Sequence, residues 1–239
     1  DVLRDPYAGR RVAEAAKDAD APILVGAILD GPDSVTALNA SVPVTPETGP
    51  REDFYIKQAV VPYGEFVPFR SLLGELVPRF NREIPRDMVG GTEPGAIDVA
   101  GTTVGTVICW DVAQDHAVRG SVKAGASIIA VQTSNATFAD FGRGIQPQQQ
   151  WDISRLRAIE TGRWVVVAST NGISGFIDPH GAVQSQLEPR TAGTAVETIS
   201  LASGETWATR LAIPVSWLIG AIALAGLAGG IVRKRKGNV

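Results

Sequence analysis

The sequence predicts an α/β layered domain followed by one C-terminal transmembrane helix. Over residues 1–209, short runs rich in Val, Ile, Ala or aromatic residues alternate with helical stretches, which is the pattern of sheets covered by helices. Residues 211–232 then form an uncharged apolar stretch. The chain has 239 residues, of which 44% are hydrophobic, so it can build one core and a small appendage.

Strands are predicted where β-branched, alanine or aromatic residues run together, most of them between Gly, Asp or Asn. Five such runs occupy residues 22–29, 54–61, 103–109, 127–132 and 164–170. Residues 175–177 and 182–187 predict a hairpin whose turn is Asp178-Pro179-His180-Gly181. Residues 195–199 predict a closing strand.

The segments between these runs predict helices and loops. Helices are predicted over residues 7–17, 115–124 and 147–161. Residues 31–51 are polar and contain prolines, so we expect a surface loop there. Residues 70–91 form an interrupted segment with several large apolar side chains. Two interpretations of this segment stand side by side, a lid that lies on a lipid surface or a loop packed on its own domain.

The uncharged stretch 211–232 is long enough to cross a membrane. At about 1.5 Å per residue it reaches roughly 33 Å, and a hydrocarbon core is about 30 Å thick. Arg210 precedes the stretch, and Arg233, Lys234, Arg235 and Lys236 follow it directly. Because basic residues favour the cytoplasmic side, we expect three segments: an extracytoplasmic domain at 1–209, a membrane helix at 210–232 and a basic cytoplasmic tail at 233–239. A buried core helix is the alternative.

Composition argues against several classes of function. The formal net charge is -3, which does not favour a nucleic-acid partner. One cysteine cannot form an internal disulfide, and one cysteine with two histidines disfavours a structural zinc site. We therefore expect neither a metal nor a cofactor. The chain begins with Asp1 rather than Met, so we expect it to be a piece of a longer protein.

Cys109 is the candidate nucleophile. It ends the predicted strand 103–109 and precedes the predicted helix 115–124, a position at which α/β folds present reactive groups. Backbone N–H groups at such a turn can stabilise a thiolate and later an oxyanion. A thiol with its ordinary pKa of about 8.5 is mostly protonated at pH 7, so a base or a cation has to activate it. The alternative is a small buried apolar residue.

The activating group is not expected to be a histidine, because His116 begins a predicted helix and His180 lies in a polar turn. Lys57 lies in a predicted strand among apolar neighbours. The loop 61–68 that follows holds Glu65 between prolines and beside a glycine. We expect Glu65 to pair with Lys57 or to accept a proton. The alternative is a surface salt bridge worth less than about 1 kcal/mol.

Three segments together resemble one family. Residues 55–68 read YIKQAVVPYGEFVP, residues 157–163 read RAIETGR and residues 169–174 read STNGIS. With Cys109 between the first and the second, this set resembles bacterial apolipoprotein N-acyltransferase, a branch of the nitrilase (carbon-nitrogen hydrolase) superfamily. The resemblance covers nearly the whole chain as a C-terminal portion of that family, and the apolar C-terminal stretch fits it as well.

The resemblance implies a four-layer α-β-β-α sandwich carried by a multi-pass helical domain in the bacterial cell membrane. Cys109 would take an acyl chain from a phospholipid as a thioester. It would pass that chain to the N-terminal α-amine of diacylglyceryl-cysteine in an apolipoprotein. Lys57, with the backbone N–H of Trp110, would stabilise the tetrahedral oxyanion, and Glu65 would orient Lys57.

The chain departs from the family pattern at two places. The general-base glutamate is expected upstream of Asp1 and is absent from this chain. The family often has a glutamate two positions after the cysteine, and here that position is Asp111, which could hydrogen-bond in the same pocket. Asn135 is expected to satisfy backbone groups near the pocket. Two other functions stay open: a membrane-tethered amide hydrolase that uses the same residues, and a non-catalytic domain that serves assembly.

Overall fold

The computed structural model describes residues 1–136 and 145–236, and side chains as far as Leu227. Contacts divide the chain into two units, Asp1–Gly204 and Glu205–Val239. The first unit contains two β-sheets with helices, and the second contains one long helix. The functional assignment of residues 1–209, 210–232 and 233–239 stays a prediction.

The first sheet is built around one long strand that was not predicted from the sequence. Its strands are β1 (Ile23–Asp30), β2 (Thr36–Thr45), β3 (Gly49–Pro50), β4 (Tyr55–Ile56) and β5 (Asp87–Met88). Strand β2 pairs antiparallel with β1, β3 and β4 and parallel with β5. The surface loop predicted over 31–51 is therefore wrong. Asn, Ser and Pro residues lower the strand propensity of β2, but pairing with four neighbours overrides that propensity.

The second sheet has six strands in the order β11-β10-β9-β8-β7-β6. They are β6 (Ala96–Val99), β7 (Thr102–Ile108), β8 (Ile128–Thr133), β9 (Val165–Ser169), β10 (Ser174–Ile177) and β11 (Val183–Leu187). Strands β7, β8 and β9 run parallel, so their carboxyl ends lie along one edge of the sheet. The structure agrees with the predicted strands at β7 to β11 to within two residues, whereas β6 was not predicted.

Two strand predictions fail for identifiable reasons. Residues 195–199 form no strand, and Val196 is 93% exposed, because a β-branched run needs a neighbouring strand to pair with. The strand predicted over 54–61 shrinks to Tyr55–Ile56. Just beyond it, the backbone N–H of Ala59 donates to the carboxylate of Asp111 at 2.8 Å, so this group does not join the ladder of a sheet.

Helices cover the outer face of each sheet and complete four layers. Helix α1 (Pro6–Ala19) packs on the first sheet, and its first N–H groups are capped by Asp5. After the short helices α2 (Arg70–Leu76) and α3 (Arg79–Glu83), helices α4 (Asp115–Lys123) and α5 (Ile145–Thr161) pack on the second sheet. Between the sheets lies a cluster of Tyr55, Ile97 and Ile108. The four-layer α-β-β-α sandwich implied by the resemblance is confirmed.

The interrupted segment 70–91 contains α2, α3 and β5. Arg70 ties it to its own unit, with Nε 2.8 Å from the Asp87 carboxylate and Nη2 2.9 Å from the Ile84 carbonyl oxygen. Ile84 of this segment is buried, whereas Leu72 is 59% and Leu76 68% exposed, so part of its apolar surface faces outward. The segment is anchored like a packed loop and carries the outer surface expected of a lid, so both interpretations remain in place.

The second unit contains helix α6 (Trp207–Lys236). Among the described residues, the part Trp207–Leu227 is long and apolar enough to cross a membrane by length and composition. Pro214 lies inside this helix, as transmembrane helices tolerate. Of the predicted tail, residues 233–236 continue the helix, while their side chains and residues 237–239 lie outside the described part of the chain.

Candidate active site

Cys109 lies where strand β7 ends and a 3-10 turn, Cys109–Ala113, begins. Its φ angle is 50°, in the left-handed region that a residue with a β-carbon rarely adopts. Such conformations concentrate at functional sites, where the surrounding structure holds them. The side chain is partly buried, packs against Tyr55, Ile97 and Ile108, and lines a cavity, so it is not a fully buried core residue and its role as nucleophile stays a prediction.

Asp111 connects the cysteine turn to the neighbouring sheet. Its carboxylate is fully buried and accepts hydrogen bonds from the Ile108 N–H at 3.1 Å, the Tyr55 hydroxyl at 2.9 Å and the Ala59 N–H at 2.8 Å. Tyr55 and Ala59 lie two positions before and after Lys57. One carboxylate therefore fixes the backbone before Cys109 and both sides of Lys57.

Burial and the Asp111 carboxylate both shift the pKa of Tyr55. Burial raises the pKa of its phenol, and the Asp111 carboxylate raises that pKa further through its charge and its hydrogen bond. The phenol therefore stays protonated well above neutral pH and remains a donor to Asp111. Sequence reasoning missed this role of Tyr55, because a tyrosine in an apolar strand is most simply interpreted as a core residue.

Lys57 and Glu65 form a buried ion pair. The lysine side chain is 1% exposed and that of Glu65 13%. Its Nζ lies 2.8 Å from Glu65 Oε1 and 2.7 Å from Oε2. The alternative of a surface salt bridge is wrong, because charges removed from water in this way require close pairing.

Glu65 is held on both of its oxygens. Besides Lys57, Oε1 accepts from Asn39 Nδ2 at 3.0 Å and Oε2 accepts from the Val61 N–H at 2.8 Å. The tight loop predicted between the prolines supplies the second contact. Asn39, on β2, was missed because its segment was predicted to be a loop. Glu65 therefore pairs with Lys57, one of the two expectations for it, and its remaining contacts fix the position of the pair.

The three principal site residues meet in one cavity of about 790 Å³. Cys109, Lys57 and Glu65 all line it. Much of its wall is apolar, including Leu24, Ile28, Met88, Val166, Phe176 and Leu187. Hydroxyl groups from the ends of β8 and β9 and from the start of β10 form a polar part, with Thr133, Ser134, Ser169, Thr170 and Ser174. The cavity can therefore hold an apolar chain and a polar group beside one thiol.

Two further predicted residues lie close by in different roles. Asn135 is 4% exposed and is not part of the cavity wall. Its Nδ2 donates to Gln150 Oε1 at 2.9 Å, and its Oδ1 accepts from the Ser169 hydroxyl at 3.0 Å, so it fixes a wall residue through side-chain contacts. Trp110 follows Cys109 directly, and its side chain is 49% exposed, which leaves only its backbone as a candidate for the site.

The histidines lie away from this chemistry. His116 and His180 are both exposed, and neither lines the cavity. Among the residues that the structure describes, no three His, Cys, Asp or Glu side chains are grouped as metal ligands would be. The groups gathered at the cavity are one thiol, one ammonium and the carboxylate of Glu65, which suits nucleophilic attack on an acyl carbon with stabilisation of the oxyanion.

Curated proteins of similar sequence share one name. The chain is 39% identical over 192 residues to an apolipoprotein N-acyltransferase from Mycolicibacterium smegmatis, which covers 79% of this chain and 31% of that protein. It is 32% identical over 181 residues to the enzyme of that name from Shewanella oneidensis, covering 75% and 34%. The chain thus spans about a third of the length of these curated relatives.

Solved structures share the fold at lower identity. The NitFhit protein of C. elegans has a TM-score of 0.58 and 21% identity, covering 79% of this chain and 44% of that one. An amidase from Nesterenkonia sp. AN1 carrying an acrylamide adduct on its active-site cysteine has a TM-score of 0.54 and 18% identity, covering 79% and 68%. The family model for carbon-nitrogen hydrolases matches residues 10–209. The chain therefore belongs to the carbon-nitrogen hydrolase family, with the nitrilase-like fold.

Proposed function

We propose that the chain is the catalytic portion of a membrane N-acyltransferase that moves an acyl chain from a phospholipid to the N-terminal α-amine of diacylglyceryl-cysteine in an apolipoprotein. The observation that carries the proposal is the shared cavity, in which Cys109 faces the same space as the buried Lys57–Glu65 pair. The apolar helix α6 and the relatives of that name support a lipid substrate over a soluble one.

The first half-reaction forms a thioester. The Cys109 sulfur attacks the carbonyl carbon of the phospholipid ester, and the carbonyl oxygen becomes an oxyanion that Lys57 and the Trp110 N–H stabilise. The intermediate then collapses, the carbon–oxygen bond of the ester breaks, and a lysophospholipid leaves with a proton. Removing one oxyanion donor typically costs about 3 to 4 kcal/mol of barrier.

The second half-reaction uses the same oxyanion site. The free α-amine attacks the thioester carbonyl, an amide forms, the amine loses a proton and the thiolate departs. Glu65 keeps Lys57 oriented through both halves, because its oxygens are fixed by Asn39 and the Val61 N–H. Asp111 fixes the two segments that carry Cys109 and Lys57.

The proton acceptor is proposed to be a glutamate in sequence that precedes Asp1. An acceptor outside this chain is supported by the contacts of Glu65 and Asp111. Both oxygens of each carboxylate already accept hydrogen bonds within the protein. Helix α1 leads into β1, and strands joined across a helix run parallel in a right-handed crossover. A strand before α1 would then end beside Ile28, whose partner across the sheet is Asn39, next to Glu65.

The bilayer is the proposed setting. Helix α6 would anchor the domain in the bacterial cell membrane, together with further helices of a multi-pass protein. The basic residues 233–236 support a cytoplasmic C-terminus, with the catalytic domain on the opposite side of the membrane. The apolar wall of the cavity would take the acyl chain, and the phospholipid, the diacylated apolipoprotein and the bilayer itself would be the partners.

A labelling experiment tests this function. The full-length protein in membranes is incubated with phospholipid that carries a labelled acyl chain, and the label on Cys109 is measured before and after hydroxylamine. We expect a hydroxylamine-labile adduct that a diacylated peptide with a free N-terminus discharges, and no adduct on a Cys109→Ala variant. A wild-type protein that acquires no adduct refutes the proposal.

An amide hydrolase is the second candidate, favoured by the amidase among the proteins of like fold. Water would then replace the α-amine in the second half-reaction, and the same three residues would act. The labelling experiment separates the two, because a hydrolase discharges the adduct equally with and without the acceptor peptide. An unlabelled thiol in a folded protein would instead favour the assembly role.

A further inference from the structure

Four charged side chains on two helices form a ring behind the cysteine turn. Arg157 and Glu160 are spaced i, i+3 on α5, and Asp115 and Arg119 are spaced i, i+4 on α4, so each pair lies on one helix face. Arg157 Nη2 lies 2.8 Å from Asp115 Oδ1, and Arg119 Nη2 lies 2.8 Å from Glu160 Oε1. With the pairs within each helix, the ring alternates two cations and two anions.

Arg157 differs from Arg119 in one contact. Its Nε donates to the carbonyl oxygen of Val112 at 2.8 Å, and Val112 belongs to the 3-10 turn that begins at Cys109. Both arginine side chains are largely buried, at 10% and 17% exposure. Arg157 and Arg119 are therefore comparable members of the same ring, and of these two only Arg157 contacts the cysteine turn.

The guanidinium of Arg157 is fixed in orientation. Its Nε, Nη1 and Nη2 have separate partners, namely Val112, Glu160 and Asp115. A planar guanidinium with three such partners holds its donors in one direction, which a lysine ammonium cannot reproduce. Glu160 and Asp115 thus set the angle at which Nε meets the Val112 carbonyl.

The turn Cys109–Ala113 requires contacts that stabilise its backbone conformation. Cys109 has the left-handed φ of 50°, a conformation that persists only where surrounding contacts determine it. Asp111 holds the turn on one side by accepting from the Ile108 N–H. Arg157 holds the other side at the Val112 carbonyl. These two contacts bracket Cys109 and the Trp110 N–H.

We propose that Arg157 is a positioning residue that holds the Cys109 turn in its reactive geometry through the Val112 carbonyl. It is not part of the cavity wall, so it acts without touching substrate. The proposal rests on the proposed function in one respect, that Cys109 is the nucleophile. It holds equally whether an amine or water completes the reaction.

The test compares Arg157→Lys with Arg119→Lys in the full-length protein. Both variants keep the charge of the ring, and only the first loses the directed contact with the turn. We expect Arg157→Lys to lower the rate of Cys109 acylation at saturating phospholipid by about 10- to 100-fold, the range for a small misplacement of reacting groups. Its KM is expected to change by less than about threefold, since the cavity wall is intact. Arg119→Lys should leave both quantities within about threefold of wild type.

A readout independent of acyl transfer accompanies the rates. Hydrogen exchange at the amides of residues 110–114 is expected to accelerate in Arg157→Lys and not in Arg119→Lys. If wild-type protein forms no thioester, the proposed function fails, while exchange still decides the positioning role. Equal effects of the two substitutions, in rate or in exchange, overturn the proposal.

A second variant covers the case in which Arg157→Lys does not fold. Asp115 is 59% exposed, so Asp115→Ala is expected to be tolerated while it removes one of the partners that orient Arg157. Slower acylation with an unchanged KM, and faster exchange confined to residues 110–114, support the proposal. Wild-type rate and wild-type exchange in this variant overturn it.

Discussion

Replacing Asp111 by asparagine should destabilise the catalytic unit and slow its chemistry together. The carboxylate is fully buried and accepts three hydrogen bonds, two of them from the backbone N–H groups of Ile108 and Ala59. Those two donors approach different oxygens, so an amide placed either way turns its NH2 group toward one backbone N–H. An unsatisfied buried donor costs about 1 to 3 kcal/mol, and the other contacts lose the part that depended on charge.

The net effect is smaller than the sum of these losses. Removing a buried charge recovers part of its desolvation penalty, so we expect Asp111→Asn to lower the free energy of unfolding by about 2 to 3 kcal/mol. For a unit of this size, 1 kcal/mol shifts Tm by roughly 2 to 4 °C. Thermal unfolding followed by tryptophan fluorescence should therefore show a Tm lower by roughly 5 to 10 °C.

The matched control is Asp152→Asn on α5, whose side chain is 50% exposed. This variant should stay within about 0.5 kcal/mol of wild type, as surface substitutions usually do. The same preparations are assayed for acylation of Cys109, which we expect to fall in Asp111→Asn alone. A shift of about 2 °C in Tm corresponds to less than about 1 kcal/mol. If the Tm of Asp111→Asn lies within about 2 °C of that of the control and acylation is undiminished, Asp111 does not hold the cysteine turn and the Lys57 segment together.

Three further substitutions test the site and its surroundings. Lys57→Met should lower the rate of adduct formation by about 10²- to 10³-fold, as loss of an oxyanion donor does, whereas Lys17→Met should not; equal rates would remove the lysine from the mechanism. Tyr55→Phe tests the raised pKa of the Tyr55 phenol. The neutral phenol stabilises the fold below its ordinary pKa of about 10, and this contribution is lost as pH rises further. The Tm of wild type should therefore fall more steeply between about pH 10 and 12 than the Tm of Tyr55→Phe. Parallel curves would contradict it. The pKa of Asp87 is held below its ordinary value chiefly by its hydrogen bond with Arg70, so the pairing is complete above about pH 4 and is lost as pH falls below it. Hydrogen exchange at the amides of residues 70–91, corrected for the intrinsic pH dependence of exchange, should therefore become faster in wild type below about pH 4, and Asp87→Asn should show the faster exchange already at neutral pH; wild-type exchange in this variant would contradict the role of the pair.

Five of the six strands of the second sheet could be predicted from sequence. Strands β7 to β9 are short apolar runs bounded by turn residues, and β10 and β11 flank a recognisable turn, whereas β6 was missed. Runs such as 103–109 and 164–170 are buried in a parallel arrangement, where near-continuous Val and Ile are the rule. Cys109 became the candidate nucleophile because of its place at the end of such a run. Cys109, Lys57 and Glu65 were therefore within reach of local pattern and family resemblance, and the structure brings all three to one cavity.

The contacts that fix the site were out of reach for the opposite reason. Strand β2 lacks a clean alternation, so Asn39 could not be placed opposite Glu65. The bridge from Asp111 to Tyr55 joins residues that lie 56 positions apart, and the contact from Arg157 to Val112 spans 45. Such pairings depend on how two sheets and two helices dock, which local propensity does not encode.

The two reactive groups come from opposite layers of the sandwich. Lys57 follows β4 of the first sheet, and Cys109 follows β7 of the second. Neither sheet alone can bring the Lys57 ammonium beside the Cys109 sulfur. A nascent or partly unfolded chain therefore carries the thiol without the ammonium that is proposed to stabilise the oxyanion. Completion of the tertiary structure therefore has to precede the proposed acyl transfer, because Cys109 and Lys57 can act on one acyl group only after the two sheets have packed on each other.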